Sequence, residues 1–281
     1  MNFVRGTRTV QNDTVILLSF YVNSDLAESK AMFASLFAQT RRAFDVFVQE
    51  DGPVPARLHD YLDGLYAEGR IRYLGVRDTN RGVSYTFNEL IARALDAGYT
   101  YIARMDTDDI CVPERIARQY DFMQAHPDID VVGGWIEEFD TDSGRTQIVR
   151  YAETHEEIFA FFKKRSPMAN VTTFFRRTFF EKAGLHRLDT TNEDLALWIE
   201  GFARGCRFHN LPEVLVKVRV NETFFYRRHG WAKALDDFAL KIEAARRLGF
   251  GPQGYIYAAA ALGLLLSPVW LKKILYKRLR G

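Results

Sequence analysis

The sequence has little cysteine, and its cysteines are not spaced as metal ligands or as disulfide partners. Only Cys111 and Cys206 occur, far apart and outside any CxxC pattern. Zinc ribbons need closely spaced cysteine pairs and disulfide frameworks need several cysteines, so the sequence supports neither class. A chain with so few cysteines fits a reducing compartment such as the cytoplasm.

The sequence also lacks a strong charge of one sign and an apolar leader. Its formal net charge is +2, which gives no overall field to attract nucleic acid. Residues 1–13 are polar and contain no apolar segment of the kind found in signal peptides. We therefore expect a cytoplasmic protein that binds no nucleic acid. With 281 residues, 47% of them hydrophobic, it can bury the core of one large domain.

The common glycine-rich motifs for phosphate binding are absent as well. No GxGxxG follows the first predicted strand, and no P-loop occurs anywhere. Residues 82–86 (GVSYT) approach the nucleophile elbow of hydrolases but lack its second glycine. A nucleotide bound by this chain must therefore be held by something other than a glycine-rich cradle.

The first half of the chain does contain an alternation of apolar runs and amphipathic segments. Apolar runs predict strands at 14–22, 44–49 and 71–76, and a fourth strand that begins at residue 101. Apolar residues at i, i+3 and i+4 predict a helix after each of the first three. This βαβαβαβ order predicts an α/β fold with a parallel, Rossmann-like sheet flanked by helices. The carboxyl ends of the strands then share one edge, where such sheets bind ligands.

From residue 129 the pattern becomes less regular. Apolar and β-branched runs predict strands at 129–135, 171–177 and 213–220. A capping box at Thr154 opens a predicted helix over 155–162. Further helices are predicted at 178–183, from residue 192 to the glycine at 205, and at 222–248.

Three carboxylates follow directly on the fourth strand. Asp106, Asp108 and Asp109 lie close together, ahead of a Pro-Glu-Arg helix start at Pro113. Carboxylates this close repel one another, and unless a cation lies between them the pKa of at least one rises. We therefore interpret the cluster as a site for a divalent cation. The alternative is an acidic turn in which Asp109 caps the following helix.

Other polar residues fall on the same predicted edge of the sheet. Glu50 and Asp51 end the second strand at a Gly-Pro turn, and Asn80 and Arg81 follow the third strand. Since these strands are predicted to be parallel, the loops that follow them meet at one place. The sequence therefore predicts a single polar site built from several loops.

Taken in order, these segments resemble glycosyltransferase family 2, whose members have the GT-A fold, use nucleotide-sugar donors and invert the configuration of the transferred sugar. The resemblance runs from about residue 14 to residue 231. Two segments, ARMDTDD and 227–231 (RRHGW), resemble the corresponding segments of one branch of the family. That branch builds bacterial exopolysaccharides, such as amylovoran, and lipopolysaccharides. In chain order the motifs are 20–23 (FYVN), 39–40 (QT), 50–53 (EDGP), 80–82 (NRG) with Asn88, 103–109 (ARMDTDD), 113–115 (PER), 131–134 (VVGG), 175–177 (FRR) and 192–194 (NED).

The resemblance implies a site for a nucleotide-diphosphate sugar, with a UDP-sugar favoured. It assigns Asp108 to a Mn²⁺ or Mg²⁺ ion, and Asp106 to the donor ribose or to the ion. It assigns Asp51 to the nucleobase, although an Asx turn beside Gly52 is an alternative role for this residue. The other residues that it implies on the donor side are Tyr21, Asn80, Arg81, Asn88 and Arg104.

An inverting transfer also needs a carboxylate that removes the proton from the acceptor hydroxyl. The resemblance assigns this role to Asp194, with Glu193 as second choice, although both are also typical first-turn residues of a helix. It places Arg227 and Arg228 in a C-terminal lid that grips the diphosphate, and His229 near the metal. The alternative for these three is a solvated helix face.

The resemblance also divides the chain. Residues 1–128 become the nucleotide-sugar-binding half, 129–221 the acceptor-side half of the same GT-A domain, and 222–281 a helical lid and tail. Two features depart from the family pattern. Glu50-Asp51 stands where most members have Asp-Asp, so only Asp51 is assigned a role. The QxxRW signature of processive members is absent, so we expect one sugar to be added per encounter.

An apolar run at 255–271 precedes a basic end of the chain. Pro268 interrupts the run, and a bilayer span needs about 20 apolar residues, so a membrane span is not expected. A helix packed on the domain and an anchor on anionic lipid are the two interpretations. Because the resemblance implies a glycan or lipid-linked acceptor, we favour peripheral attachment to the cytoplasmic face of the inner membrane. The basic residues are Lys272, Lys273, Lys277, Arg278 and Arg280.

Two other functions share parts of this pattern. Sugar-nucleotide pyrophosphorylases also combine an α/β layout with an acidic metal site, but they need a glycine-rich N-terminal loop that this chain lacks. A relative that only binds carbohydrate or nucleotide would not need to keep Asp106, Asp108 and Asp194. The pattern as a whole therefore favours a metal-dependent, inverting glycosyltransferase.

Overall fold

A sheet of ten strands, most of them parallel, forms the centre of the molecule in a computed structural model that describes residues 3–5, 12–141, 144–220 and 231–267. The strands are β1 (Phe3–Arg5), β2 (Thr14–Phe20), β3 (Asp45–Glu50), β4 (Tyr73–Val76), β5 (Tyr101–Arg104), β6 (Ile110–Cys111), β7 (Val131–Asp140), β8 (Thr146–Val149), β9 (Phe174–Arg176) and β10 (Phe208–Val220). Their order across the sheet is β1-β4-β3-β2-β5-β9-β7-β10-β6, with β8 paired to β7.

Helices cover both faces of this sheet. They are α1 (Leu26–Phe37), α2 (Ala56–Ala67), α3 (Val83–Asp96), α4 (Arg115–Ala125), α5 (His155–Phe162), α6 (Arg177–Ala183), α7 (Glu193–Ala203), α8 (Trp231–Arg247) and α9 (Gly251–Leu266), with a 3₁₀ turn at Asn170–Thr172. One sheet includes strands from both sides of residue 128, where the sequence pattern changes.

The four strands predicted in the first half form the parallel core of the sheet. β2 pairs in parallel with β3 and with β5, and β3 pairs in parallel with β4. The continuous apolar run of β2 explains its central place. Ile16 and Leu18 join an apolar cluster with α1 and α2, whereas Val15 and Leu17 join the cluster of α3 on the other face. A strand buried on both faces is typical of parallel sheets, and the predicted α/β fold is confirmed.

The strand predicted over 171–177 is shorter in the structure. Thr172 and Thr173 donate their hydroxyls to the carbonyls of Ala169 and Asn170, at 2.8 and 2.7 Å. These local bonds favour a 3₁₀ turn over strand pairing, so the strand is limited to β9. β9 runs antiparallel to both β5 and β7, and it joins the two parallel parts of the sheet.

Three short strands have no signal in the sequence pattern, and one long strand begins earlier than predicted. β1, β6 and β8 pair antiparallel to β4, β10 and β7, and each is too short to show a period. β10 begins at Phe208, earlier than the predicted residue 213. Pro212 lies between, where the pairing of β10 with β7 shifts register, and a proline inside a run argues against a continuous strand.

The two C-terminal helices pack against each other. Within the predicted helix 222–248, the structure describes α8, and residues 221–230 lie outside the described part. α9 contains most of the apolar run predicted at 255–271. Its Gly254 lies so close to α8 that a Cβ at this position would be 2.8 Å from the Ala245 side chain. Tyr255 and Ile256 are exposed on the outer side of α9. No helix among the described residues is both long and apolar enough to cross a membrane.

One side chain of α3 fastens the loop between α6 and α7. The Asn88 amide donates to the carbonyl of His186 and accepts from the His186 N–H, both at 2.8 Å. His186 is 6% exposed, and its Nδ1 has no hydrogen-bond partner among the described residues. Burial, together with the positive charge of Arg104, lowers the pKa of His186 to about 3.

We expect this histidine to make the protein less stable in acid. The pKa of His186 in the unfolded chain is about 6.5. Below that pH the unfolded state binds a proton that the folded state does not bind until about pH 3. The free energy of unfolding should therefore decrease as the pH falls through this window, and His186→Gln should make that decrease smaller. Urea unfolding at about pH 5 and about pH 7.5 measures the difference.

His126→Gln is the matched control, because it changes an exposed histidine. An equal loss of stability in the wild-type and His186→Gln proteins between the two pH values would show that the buried ring does not contribute.

Candidate active site

A cavity of about 510 Å³ opens at the carboxyl ends of β2, β3, β4 and β5. We name it the strand-end cavity. Its walls come from the loops that the sequence predicts to meet there, because parallel strands bring those loops to one edge. Six of the predicted site residues line it together: Tyr21, Asp51, Asn80, Arg104, Asp106 and Asp108.

Asp51 fixes the loop that follows β4. It is 2% exposed, and its Oδ1 accepts from Arg77 Nη1 at 2.6 Å and from the Arg81 N–H at 2.9 Å. Its Oδ2 accepts from the Gly82 N–H at 2.9 Å. The carboxylate therefore bonds to a different loop and makes no Asx turn beside Gly52. Each carboxylate oxygen has two lone pairs, so Oδ2 keeps capacity for a second donor such as a nucleobase N–H.

Gly52 lets this loop approach Asp51. Its φ is +83°, and a Cβ at this position would lie 2.6 Å from the backbone nitrogen of Asn80. Asn80 in turn donates its Nδ2 to the carbonyl of Asp51 at 2.9 Å. Any residue other than glycine would push the loop at 80–82 away from Asp51.

Three residues near this cavity have other partners. Glu50 is buried and bonds through its carboxylate to His59 Nδ1 of α2 at 2.9 and 3.0 Å. Asn88 does not line the cavity, because both ends of its amide bond to the loop at His186. Arg81 is exposed and stacks on Tyr85, 3.2 Å from the ring centre. Donor contact by Asn88 and Arg81 therefore stays a prediction.

The acidic cluster after β5 is not a helix cap. Asp109 is 3% exposed, and its Oδ1 accepts from the Arg219 N–H of β10 at 2.9 Å. α4 begins only at Arg115, and its N-cap makes no side-chain bond, so the capping alternative for Asp109 is wrong. Burial, and then the charges of Asp106 and Asp108, raise the pKa of Asp109 well above its ordinary value.

The carboxylate oxygens of this cluster suit a small divalent cation. Asp106, with a side chain 43% exposed, and Asp108 line the same cavity. No group of three His, Cys, Asp or Glu that could hold a metal occurs in the described part of the chain. Mg²⁺ needs no such group, because it binds one or two carboxylates and completes its coordination with substrate phosphates and water. The residues present therefore fit such an ion.

Arg104 connects this cluster to a second set of carboxylates. Its side chain is 12% exposed, and its guanidinium stacks on Phe87, 4.3 Å from the ring centre. Its Nε lies 3.4 Å from Asp106 Oδ1, and its Nη1 lies 3.4 Å from Asp194 Oδ1 and 3.9 Å from Glu193 Oε1. Burial alone would lower the pKa of Arg104, but the three carboxylates outweigh it and raise this pKa.

A second cavity, of about 480 Å³, adjoins the first. We name it the helix-side cavity, because α7 and α8 line it. It shares Arg104 and Asp106 with the strand-end cavity, and Glu193 and Asp194 line only the second one. Asp194 is 33% exposed, and its Oδ1 accepts from Arg104 and from Asn170 Nδ2. A substrate in the helix-side cavity can therefore reach this carboxylate.

The cap of α7 is Asn192, whose side chain accepts from the Leu195 N–H. Asp194 lies in the first turn of α7 and reaches Arg104 of β5, so capping does not explain its position. The helix N-terminus, where both acidic side chains lie, favours a negative charge.

Several residues that line the two cavities, or bond to residues that line them, belong to no motif in the sequence. They reach the site from distant parts of the chain: Arg77 bonds to Asp51, Asn170 to Asp194, Arg219 to Asp109, and Lys233 lines both cavities. Only the folded sheet brings them together. The predicted lid residues Arg227, Arg228 and His229 lie outside the described residues, and so does the basic segment from Lys272 onward.

Comparison with known proteins identifies the family. The family model described as "Glycosyl transferase family 2" matches residues 22–184. An uncharacterized glycosyltransferase of Haemophilus influenzae is 31% identical over 93% of this chain and 97% of its own length. The amylovoran biosynthesis glycosyltransferase AmsE of Erwinia amylovora is 28% identical over 94% of this chain and 97% of its own. An Escherichia coli UDP-Gal:α-D-GlcNAc-diphosphoundecaprenol β-1,3-galactosyltransferase is 25% identical over 94% of each chain.

Solved structures show the same fold. S. aureus TarS (residues 1–349) in complex with UDP-GlcNAc matches with a TM-score of 0.62 and 16% identity, over 90% of this chain and 71% of that one. A longer TarS chain is matched over 44% of its length. The mannosyltransferase PcManGT of Pyrobaculum calidifontis, in complex with GDP-Man and Mn²⁺, matches with a TM-score of 0.61 and 12% identity, over 97% of this chain and 81% of that one. The chain has the GT-A fold and belongs to glycosyltransferase family 2.

Proposed function

We propose that this protein transfers a sugar, with inversion at the anomeric carbon, from a nucleotide-diphosphate sugar to a hydroxyl group of a glycan or lipid-linked glycan in bacterial surface polysaccharide synthesis. The observation that carries the proposal is the pair of adjoining cavities that share Arg104, which contacts Asp106 and Asp194. In this proposal the strand-end cavity takes the donor and the helix-side cavity takes the acceptor. In this proposal the predicted half 1–128 supplies most of the donor cavity and the predicted half 129–221 supplies most of the acceptor cavity.

The loops after β2, β3 and β4 form the proposed binding site for the nucleotide sugar. Asp51, with acceptor capacity on Oδ2, would receive an N–H of the base, while Tyr21 and Asn80 line the same cavity. UDP-sugars are favoured, since the E. coli relative is named for UDP-Gal and the TarS structure holds UDP-GlcNAc.

A bound Mn²⁺ or Mg²⁺ supplies positive charge that offsets the charge of the leaving diphosphate. Asp108 and Asp106 would hold it at the carboxyl end of β5, and the Mn²⁺ in the mannosyltransferase structure supports this choice of ion. His229 is the proposed third protein ligand, and Arg227 and Arg228 are proposed to grip the diphosphate.

Asp194 is the proposed general base. It takes the proton of the acceptor hydroxyl while the hydroxyl oxygen bonds to the anomeric carbon, on the face opposite the diphosphate. The bond from that carbon to the phosphate oxygen breaks, and its electron pair leaves with the nucleoside diphosphate. Arg104 and Asn170 hold Oδ1 of Asp194, so the carboxylate is oriented before a substrate binds.

The acceptor end of the proposal rests on the lining of the helix-side cavity. Glu193 and Asp194 offer carboxylate oxygens to sugar hydroxyls, and Tyr151 offers an aromatic ring. α9 carries no charged residue and exposes Tyr255 and Ile256, and five basic residues follow it in the sequence. We therefore propose that the enzyme works as a peripheral protein at an anionic membrane surface.

Asp108→Asn should abolish transfer and metal-dependent donor binding without unfolding the protein. The change removes a metal ligand and also relieves repulsion within the acidic cluster, so the fold should be retained. Thermal unfolding with UDP-sugars, with and without Mn²⁺, measures donor binding, since a ligand at about 100 times its Kd stabilises by about 2.7 kcal/mol. Asp121→Asn, an exposed aspartate of α4, is the matched control. Mn²⁺-dependent stabilisation that survives in Asp108→Asn would contradict the metal assignment.

Asp194→Asn should lower the turnover rate and leave donor binding in place. Loss of a general base costs on the order of 10²-fold or more in kcat, whereas the donor binds in the other cavity. Steady-state kinetics and the same thermal assay separate the two effects. Glu193→Gln is the comparison, because its carboxylate also faces Arg104. A larger loss of kcat in Glu193→Gln than in Asp194→Asn would move the base to Glu193.

Removal of residues 268–281 should weaken binding to anionic liposomes. The segment carries five basic residues, and each contributes about 1 kcal/mol near an anionic surface. Salt should weaken the binding of the full-length protein, since charges are screened over about 10 Å at about 0.1 M salt. Co-sedimentation with phosphatidylserine-containing and neutral vesicles measures this. Equal binding of both proteins to both vesicles would contradict electrostatic attachment.

A further inference from the structure

Two adjacent acidic residues of α8 hold the loop that leads into α7, the helix that carries the proposed general base. Asp236 Oδ2 accepts from the Thr190 hydroxyl at 2.8 Å, and from the N–H and hydroxyl of Thr191 at 2.6 and 2.7 Å. Asp237 Oδ1 accepts from Asn192 Nδ2 at 2.7 Å. α8 therefore contacts three consecutive residues immediately before α7.

The contact with Asn192 is the important one, because Asn192 caps α7. Its Nδ2 is bound by Asp237, and its Oδ1 accepts from the Leu195 N–H at 3.4 Å. An ionised carboxylate only accepts hydrogen bonds, so Asp237 selects the amide orientation in which the nitrogen faces α8 and the oxygen faces α7. If the amide rotated, its NH₂ group would face the N–H groups of the helix and the cap would be lost.

The orientation of this cap determines where Asp194 lies. Asp194 belongs to the first turn of α7, two residues after the cap, and its Oδ1 must meet Arg104 Nη1 at 3.4 Å. A shift of the first turn would move the carboxylate relative to Arg104 and Asn170. Displacements of about 1 Å at a reacting group can cost on the order of 10²-fold in rate.

We propose that Asp237 is a positioning residue for the general base, acting through the cap Asn192, and that Asp236 supports it by holding Thr190 and Thr191. This inference rests on the proposed function, in which Asp194 is the base. Asp237 touches the cavity, but its effect on the reaction is transmitted through the first turn of α7. Neither aspartate belongs to a motif that the sequence analysis found.

The test compares Asp237→Ala with Asp237→Asn. The alanine variant leaves the Asn192 amide without its partner, and we expect kcat to fall about tenfold while the donor KM changes less than about twofold. The asparagine variant keeps an oxygen that can accept from Asn192 Nδ2, and we expect it to restore most of the lost kcat. A residue that serves only the stability of α8 would not give this split between kcat and KM.

Glu243→Ala is the matched control on the same helix. Glu243 pairs with Arg187 at 2.9 Å and so fastens α8 to the same loop, but it does not contact Asn192. We expect this variant to lower the melting temperature without the loss of kcat. A loss of kcat in Glu243→Ala equal to that in Asp237→Ala would overturn the inference, because any loosening of α8 would then be sufficient.

A double-mutant cycle with Asp194→Asn gives the decisive measurement. If Asp237 acts through Asp194, Asp237→Ala should lower kcat in the wild-type background and have no further effect in Asp194→Asn. Additive losses would overturn the inference. The proposed function fails separately, if Asp194→Asn alone keeps its kcat or if no nucleotide sugar stabilises the wild-type protein.

Discussion

The contact of one buried arginine with carboxylates from two parts of the chain determines the arrangement of this site. Arg104 ends β5, and its guanidinium lies between Asp106, in the next loop, and Asp194, on α7. A cation that is 12% exposed needs counter-charges close by, and the carboxylates need it in return. The backbone at this position is fixed as well, since the buried Arg115 donates Nη2 to the carbonyl of Arg104 at 2.8 Å. Arg104 is therefore held both at its backbone and at its guanidinium, at the boundary that the two cavities share.

Much of this arrangement follows from the sequence, and the reason is the parallel sheet. Once the apolar runs predict β2 to β5 as neighbouring parallel strands, the loops after them must share an edge. That is why Asp51, Asn80, Asp106 and Asp108 could be placed in one site without knowledge of any contact. The repulsion between the acidic residues could also be predicted, because it depends only on their closeness in the chain.

What the sequence could not predict depends on contacts between distant segments. Asp51 could be placed at the edge, but not its bonds to Arg77 and to the loop at 80–82. Asn88 lies in a family motif, yet its amide is used to hold the loop at His186. The bond from the Arg219 N–H of β10, which excludes the alternative role of Asp109 as a helix cap, was equally outside what the sequence could predict. Hydrogen-bond partners across the fold leave no local pattern, so residue type and spacing do not reveal them.

The pairing of Asp109 with β10 also bears on how the chain folds. The acceptor and donor of this bond are 110 residues apart, and Arg219 reaches the site only after β10 has paired with β7. Closing a loop of this length has an entropic cost, and non-local parallel pairing is slow. On a ribosome, the loops that carry Asp106 and Asp108 are made well before the strand that completes their surroundings. The nascent chain therefore passes through a stage in which its sheet has begun to form but its acidic loop lacks its final geometry. Affinity for a nucleotide sugar should arise only near the end of folding.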